Sequence, residues 1–578
     1  MSAPSSADVA RVALGTRADG WEAVILTAAG SEGERHVLAT GEVAPWVRRM
    51  EASHAPRWIW SDTDAIYRRL LAAGVRVARC HDLRLAHAIL RSSADAPAEL
   101  AARADPGWAA PRTTAASEDG DTLFALDPDA GATRLPDEID AVLREFVRQR
   151  EAVAASASPA SLRLLLAAES AGALAAAEMT AAGLPWDTAT HDRVLSAILG
   201  PRPRGDELPE RMRLLAEEIR AALGDPGVSL DSPPKLLRAL HRVGIHVETT
   251  SRWELERHTH PAIGPLVEYK RMSRLLTANG WSWLDEWVHD GRFRPVYVPG
   301  GVVTGRWASS GGGALQIPRV LREAVRADPG WCLVVADVAQ LEPRVLAAMA
   351  GDLSLAAAAR GRDLYGGVVE AGAVATRADA KMALLGAMYG ATTGESGRLV
   401  PRLRRSFPRA MALVDEAARV GEAGGVVRTQ WGRTSAQPSP AWRTAQDRAS
   451  EPDATPAEQE RARRSARDRG RFTRNFVVQG TAAEWALAWI ADLRGRLHAL
   501  GGDVVDPPAV ASGPVFDRHP HLAFFLHDEI IVHAPLSQAE EVADAVRAAS
   551  VSAARLLFGD FPLDFPLDLR ITESAAKT

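Results

Sequence analysis

The sequence is poor in cysteine, lacks a long apolar run and carries no excess of positive charge, and each shortage narrows what the chain can be. Cys80 and Cys332 are the 2 cysteines among 578 residues. They lie far apart in apolar contexts and read as small buried hydrophobes before a disulfide or metal pair. No apolar stretch long enough to span a bilayer and no signal-peptide pattern is evident, so a cytoplasmic protein without a membrane partner is expected. The formal net charge is −5. That argues against a uniformly basic nucleic-acid binder, but not against a local basic surface that displaces counterions from phosphates. Arginine greatly outnumbers lysine and alanine is abundant, a compositional bias without functional content. Hydrophobic residues at 47% and charged residues at 24% are ordinary for a globular chain, and the length suggests three or four domains.

To about residue 93 the chain reads as mixed α/β. Arg57-Trp58-Ile59-Trp60 predicts a short strand, residues 64–73 a helix with Ile66, Leu70 and Leu71 on one side, and residues 75–80 a second strand. Residues 93–137 are rich in Ala, Pro, Asp, Gly and Thr with weak periodicity, which predicts a flexible insertion. Helical spacing begins near Leu162 and ends at Gly183-Leu184-Pro185. Further helices are expected over residues 209–223, after Ser232-Pro233-Pro234, and from His260-Pro261 through Leu276. The last carries Lys270, Arg271 and Arg274, either a solvated basic face or a phosphate track. Residues 331–336 form an apolar run that predicts a buried strand, and a helical region extends from there to about residue 423. A polar segment, 446–474, ends in a dense arginine cluster; an apolar hairpin over 523–533 then precedes a helix starting near Ser537.

Three pieces carry chemistry. Leu333-Val334-Val335-Ala336-Asp337 delivers a carboxylate at the end of an apolar strand; a helix cap is the plainer explanation. His527-Asp528-Glu529 places two adjacent carboxylates at a hairpin tip, where Gly or Asn is usual; an ordinary charged turn is the alternative. If Asp337 and Asp528 meet, the like charges are costly without cations, and Mg²⁺ would relieve that cost with hard oxygen ligands. Arg377, Lys381, Leu385 and Tyr389 recur every four residues, so they share one helix stripe. Such a stripe suits a triphosphate tail followed by a sugar and base, or simply an amphipathic helix with a cationic rim.

Together these segments resemble family A DNA polymerases, the bacterial DNA polymerase I type. Asp337-Val338-Ala339-Gln340-Leu341-Glu342-Pro343-Arg344 resembles the family's D-Y-S-Q-I-E-L-R. Arg377 to Gly390 matches R-x-x-x-K-x-x-x-F-G-x-x-Y-G with Leu385 in place of phenylalanine, and His527-Asp528-Glu529 matches V-H-D-E. Thr304-Gly305-Arg306 resembles T-G-R-L-S-S, and Leu315-Gln316-Ile317-Pro318 resembles a shortened L-Q-N-I-P. Asn475 with Gln479-Gly480-Thr481-Ala482-Ala483-Glu484 resembles N-x-x-x-Q-G-T-A-A-D, and Thr429 with Gly432-Arg433 resembles T-x-x-G-R. All occur in the family's order, from about Leu162 to the C-terminus.

The resemblance implies an α+β multidomain architecture: a right-hand polymerase of palm, fingers and thumb, preceded by an α/β RNase H-like exonuclease domain. The expected limits are 1–160 for the exonuclease-like domain with its insertion at 93–137, 161–300 for the thumb and palm entry, 301–350 for the first palm segment, 351–475 for the fingers and 476–578 for the C-terminal palm. It implies that Asp337 and Asp528 hold two Mg²⁺ ions (Mn²⁺ a possible substitute), with Glu529 beside them and Lys381 in the catalytic set. Arg377, Lys381, Leu385, Tyr389, Gln340 and His527 would meet the incoming dNTP, and Glu342 would exclude a ribose 2′-OH. Arg306, Gln316, Asn475, Gln479, Arg471, Lys270 and Arg274 would meet the primer-template, mostly through contacts that position without reading sequence. The implied reaction is attack of a primer 3′-OH on the α-phosphate of a dNTP, by a monomer in the nucleoid-associated cytoplasm.

The departures matter too. Leu385 weakens stacking on the sugar, Pro343 fixes the backbone beside the gate, Val338 and Ala339 replace Tyr and Ser, and Glu484 replaces Asp. Upstream, neither D-x-E nor Y-x-x-D is present; the first strand candidate reads Val9-Ala10-Arg11-Val12-Ala13-Leu14-Gly15. Only His81-Asp82-Leu83-Arg84-Leu85-Ala86 resembles the family's D-x-x-L-A. One acid cannot organise a two-metal site, so an inactive exonuclease-like domain is expected, with no room for a 5′ nuclease domain. A DNA-binding protein with lost catalysis and a single-subunit RNA polymerase are the competing readings; the intact Asp337, Asp528, Lys381 and Arg377 oppose the first, and Glu342 and Glu529 the second.

Overall fold

A computed structural model describes residues 10–27, 30–102, 106–109, 135–205, 207–313, 317–390, 394–501 and 507–576. The chain forms two compact units, one of Met1–Gly183, Val296–Gly311 and Pro329–Thr572, the other of Leu184–Pro295, Gly312–Asp328 and Glu573–Thr578.

The larger unit holds two main sheets and a two-stranded ribbon of Val296–Val298 with Ala308–Gly311. In the first, the order is Glu32–Leu38, Gly20–Leu26, Arg11–Arg17, Arg57–Trp60, Arg79–Asp82. The first three strands pair antiparallel, and the last two run parallel to Arg11–Arg17. Apolar residues fill both faces: Val12, Leu14, Trp58 and Trp60 on one, Ala13, Ile59 and the helix Ile139–Ala154 through Phe146 on the other. The second parallel strand is Arg79–Asp82, not the expected 75–80. Val75 and Val77 are buried, but their backbone lies outside the ladder after left-handed Gly74. Part of the expected insertion is ordered structure: Ala98–Ala102 is helical and Trp108 is buried, while 110–134 lie outside the described residues.

The helix Pro159–Ala182 corrects a second expectation. Its 24 residues are long and apolar enough to cross a membrane, but 67% of the apolar window is buried inside the protein. It is a core helix, and it buries Glu169 and Glu178 with it.

The second sheet is antiparallel, ordered His521–Leu526, Glu529–Pro535, Trp331–Val338, Leu567–Thr572. Trp331–Val338 is central and nearly all buried, as its unbroken apolar run requires. The helix Ala539–Phe558 packs on this sheet, and a long helix, Pro456–Ala499, opened by a Thr455–Glu458 capping box, packs against that helix and the edge strand His521–Leu526. The expected fingers–palm boundary at 475/476 falls inside Pro456–Ala499. Helices Leu341–Ala350, Leu364–Glu370, Arg377–Tyr389 and Pro408–Glu422 follow the central strand in the same unit.

The smaller unit is helical, with Thr188–Leu199, Glu210–Leu223, Pro233–Arg242 and Ile263–Asn279 beside a three-stranded sheet of Leu184–Pro185, Arg292–Phe293 and Val288–His289. Trp186, His191, Trp283 and Phe293 cluster in its core, each ring within 6 Å of another. The helix Thr188–Leu199, capped by Asp187, was not among the sequence expectations.

Candidate active site

The central strand ends on Asp337, and the sheet register fixes its neighbours. Asp337 lies opposite Glu529 on one side and Asp568 on the other, so three carboxylates form a row across three strands. Like charges directly opposite one another destabilise a sheet. The hairpin turns on two residues, His527 and Asp528, between His521–Leu526 and Glu529–Pro535. His527 adopts φ +55°, a left-handed conformation that a non-glycine residue takes only under constraint. Val338 N donates to Asp528 O at 2.9 Å, which holds the turn against the end of the central strand. Burial, then the charge of Asp337, pushes the Asp528 carboxyl up to about 6. Two carboxylates meeting under partial burial are the donor set that a hard divalent cation satisfies, with substrate oxygens completing its shell. Among the described residues no group of three or more His, Cys, Asp or Glu stands ready to hold a metal by itself.

Gln340, immediately past the strand, is also left-handed at φ +51° and caps the helix Leu341–Ala350. Its side-chain oxygen accepts from Arg344 Nη2 and Leu364 N, both at 3.3 Å. Arg344, the last residue of the first motif, is fully buried and donates to the carbonyls of Ala339, Ala359, Arg362 and Asp564. It therefore fixes the backbone from which Glu342 projects. The Glu342 carboxylate is paired with Arg306 on one oxygen and accepts the Tyr389 hydroxyl on the other. Burial, followed by the Arg306 charge, holds His527 down to about 4, so its imidazole is neutral at pH 7.

Arg306 follows a turn that only glycine fits. Gly305 has φ +84°, and a Cβ there would lie 2.5 Å from Arg433 Nε. Arg433 in turn pairs with buried Glu169 of the core helix. The long helix locks onto the same loops. Gly480 leaves room for the Thr429 methyl, Thr481 Oγ1 accepts from Gln430 N, and Glu484 accepts from Trp431 N and the Thr429 hydroxyl. The motifs that the sequence shows as separate words are thus one packed assembly.

The helix Arg377–Tyr389 brings Lys381, Leu385 and Tyr389 to a cleft of about 320 Å³. Arg306, Gln340, Glu342, His527 and Asp528 line it as well, over a floor of Ala482, Ala483 and Ala486. Arg377 is not in that lining. Its guanidinium makes a two-pronged pair with Asp363, at 2.9 and 3.0 Å, and lies over the Tyr365 ring. Glu529 is 3% exposed and belongs to the sheet interior. Asn475 and Gln479 sit half-buried on the long helix, outside the cleft lining. Gln316 lies outside the described residues. Lys270 and Arg274 are on Ile263–Asn279 of the smaller unit, where Lys270 donates to the Thr250 hydroxyl and Arg274 is exposed.

The arginine cluster is less of a basic surface than its sequence suggests. Arg463 and Arg467 pair with Glu460, and Arg471 with Asp468. Arg469 and Arg474 are buried, donating to the Gly425 and Ala436 carbonyls and to Ala387 O and Asp415 respectively. Sequence reasoning missed Trp307, Tyr365 and Phe525, the aromatic wall of the cleft, although Trp307 directly follows Thr304-Gly305-Arg306. It also missed Asp568, although Leu567-Asp568-Leu569-Arg570-Ile571-Thr572 alternates apolar and polar residues as a strand does.

In the N-terminal region, Asp82 is spent on structure. Fully buried, it accepts from Leu85 N at 2.9 Å and Thr63 N at 2.8 Å, capping its own helix and steadying the start of another. The strand Arg11–Arg17 presents Val12, Ala13 and Leu14, all buried.

Comparison with known proteins agrees with this geometry. The chain is similar to thermostable DNA polymerase I of Thermus filiformis, 26% identical over 411 residues, which covers 63% of this chain and 43% of that protein. It is 29% identical over 325 residues to DNA polymerase I of Chloroflexus aurantiacus, covering 51% of this chain and 31% of that one. The matched segments thus span less than half the length of these relatives. In three dimensions it resembles the POL domain of Pol1 from M. smegmatis, solved in complex with DNA primer-template and dNTP, with a TM-score of 0.68, 18% identity, and coverage of 98% of this chain and 95% of that chain. The sequence model of DNA polymerase family A matches residues 203–574, and the chain belongs to that family.

Proposed function

We propose that the chain is a template-directed DNA polymerase that adds dNMP to a primer 3′-OH and releases pyrophosphate. The observation that carries this reading is the convergence of Asp528, Lys381 and the clamped Glu342 on one cleft, with Asp337 beside Asp528 close enough to raise its carboxyl. In the reaction the primer 3′-oxygen forms a bond to the α-phosphorus of the dNTP as the bond to the bridging oxygen of the β-phosphate breaks. Little covalent work falls to the protein, so positioning and charge placement dominate.

Asp337 and Asp528 would hold divalent cations, two Mg²⁺ in this reading, which when bound supply charge to offset the phosphates and the attacking oxygen. Lys381 reaches toward the triphosphate. Arg377 joins it only on leaving Asp363, so that exchange belongs to the closing of its helix over a nucleotide. Glu342, fixed by Arg306 and Tyr389, presents a partly buried carboxylate that a ribose 2′-OH would crowd, which favours deoxynucleotides. Neutral His527 can donate to, or accept from, the primer terminus without adding charge. Arg306, Gln479 and Asn475 contact the primer-template, with Lys270 and Arg274 tracking the duplex backbone and a monomer acting on DNA in the cytoplasm. The same reading assigns no proofreading to the N-terminal region, because Asp82 is consumed as a helix cap and its neighbouring strand offers no acid.

Extension of a labelled primer on a template, with Mg²⁺ and either dNTPs or NTPs, tests this. The wild-type chain should extend with dNTPs, and Asp528→Asn should lose on the order of a thousandfold in rate, several kcal/mol of transition-state stabilisation. Absence of extension by the wild-type chain overturns the reading. Extension that survives Asp528→Asn overturns the assignment of the site, and a preference for NTPs overturns the deoxynucleotide reading.

A further inference from the structure

The N-terminal sheet carries an arrangement that polymerisation does not use. Where the strands run parallel, the register sets Arg11 beside Arg57 and Arg57 beside Arg79; the Arg79 guanidinium turns to the Ala55 carbonyl at 2.6 Å, which leaves Arg11 and Arg57 as the neighbouring pair. Side-by-side like charges cost stability in a sheet. Two residues further along the same face, Ala13, Ile59 and His81 follow in register. The helix Ile139–Ala154 covers that apolar part and leaves a cavity of about 670 Å³ at its edge. Arg11, Arg57, Arg150 and Arg163 line the cavity with His81 and Phe146, and Glu151 is the one acidic residue among the described lining.

The lining is built. Gln149 donates through its amide nitrogen to Leu83 O and Glu145 Oε1, so its oxygen is left to accept from His81 Nε2 at 2.8 Å. Arg57 is anchored by a bond from Nη1 to Cys80 O at 2.9 Å, and Arg150 lies over the Phe146 ring. Burial, then the neighbouring guanidinium groups, disfavours the charged forms of Arg11 and Arg57.

We propose that this cavity binds an oligophosphate anion: inorganic pyrophosphate, tripolyphosphate or the phosphate tail of a free nucleotide. Converging guanidinium forks match phosphate oxygens in pairs, and a multiply charged anion would offset the repulsion that the sheet register imposes. The volume lies in the range of small-ligand sites. A nucleic-acid strand fits less well, because strand binding uses an open groove with exposed stacking rings, and Phe146 is occupied by His81 at its edge and Arg150 over its face. None of these residues lines the polymerase cleft, so the site is separate from the one above.

The test is calorimetric titration of the full chain with tripolyphosphate in EDTA at fixed ionic strength, in a Lys381→Ala background that weakens phosphate binding at the cleft. One equivalent should bind, and Arg57→Gln should weaken it at least tenfold. Because Arg57 is partly buried, the double variant Arg150→Gln/Arg163→Gln, at exposed helix positions, provides the second arm; it should weaken binding similarly and leave primer extension by the Lys381-containing chain unchanged. Absence of saturable binding, or an affinity that neither variant alters, overturns the proposal. So does a result in which these variants reduce binding of a 5′-phosphorylated single-stranded oligonucleotide while tripolyphosphate fails to bind.

Discussion

Glu342 is held from both sides, by the Arg306 guanidinium and the Tyr389 hydroxyl, and its position should set which sugar the cleft admits. Glu342→Ala should raise ribonucleotide insertion relative to deoxynucleotide insertion by about tenfold or more, measured as the ratio of kcat/KM values for NTP and dNTP. An unchanged ratio would show that the gate lies elsewhere. Leu385 lines the same cleft with a branched aliphatic side chain where the family has an aromatic ring. Leu385→Phe should lower KM for dNTP several-fold with kcat little changed, the signature of uniform binding. These residues were legible because the motifs sit at fixed spacings on one helix and one strand end. Partner choice was not. Nothing in the spacing of Arg377 shows that Asp363, fourteen residues earlier and the cap of a different helix, would pair with it.

At the scale of elements, the central strand and its hairpin could be read directly, since runs buried on both faces are apolar without interruption. The long helix Pro456–Ala499 could not. Its first half is charged and solvated and its second half is buried all round, so two patterns disguise one element. The edge strand Leu567–Thr572 did carry a signal, Leu567, Leu569 and Ile571 alternating with Asp568, Arg570 and Thr572, but six residues after a Pro-rich stretch were too short a run to be singled out. The long helix also carries a titration. Burial raises the Glu484 carboxyl from 4.5 to about 7, despite hydrogen bonds from Thr429 and Trp431. Between those values the folded chain keeps a proton that the unfolded chain has released. The associated stability is therefore full below about pH 4.5 and is lost as pH rises through 7. Glu484→Gln removes the titration, so its stability relative to wild type should improve by on the order of 2 kcal/mol between pH 5 and pH 8. Denaturant unfolding at several pH values checks this, and two parallel pH profiles would refute it.

At the scale of the molecule, the far end of that helix is tied to the N-terminal region by a buried charge network. Arg494 donates to both oxygens of Glu178 at 2.6 and 2.7 Å and to the carbonyl of Ala78 at 2.7 Å, and the Tyr67 hydroxyl donates to Glu178 at 2.6 Å. Glu178 and Arg494 are almost fully buried. Arg494→Met leaves Glu178 with only the more distant Arg76, at 3.4 Å, as counter-charge and should destabilise the chain by about 3–5 kcal/mol, while Arg494→Met combined with Glu178→Leu should recover part of that loss. Thermal unfolding of the single and double variants measures it, and additive losses would show that the pair is not coupled.

That network has a consequence for how the chain can change over generations. Tyr67 and the Ala78 carbonyl close the far end of the helix Pro456–Ala499, so a lineage could lose any activity of the upstream region and still be unable to discard the segment itself. Its inheritance would be enforced by what it keeps dry, and drift there should spare Tyr67, Glu178 and Arg494 while altering the surfaces around them.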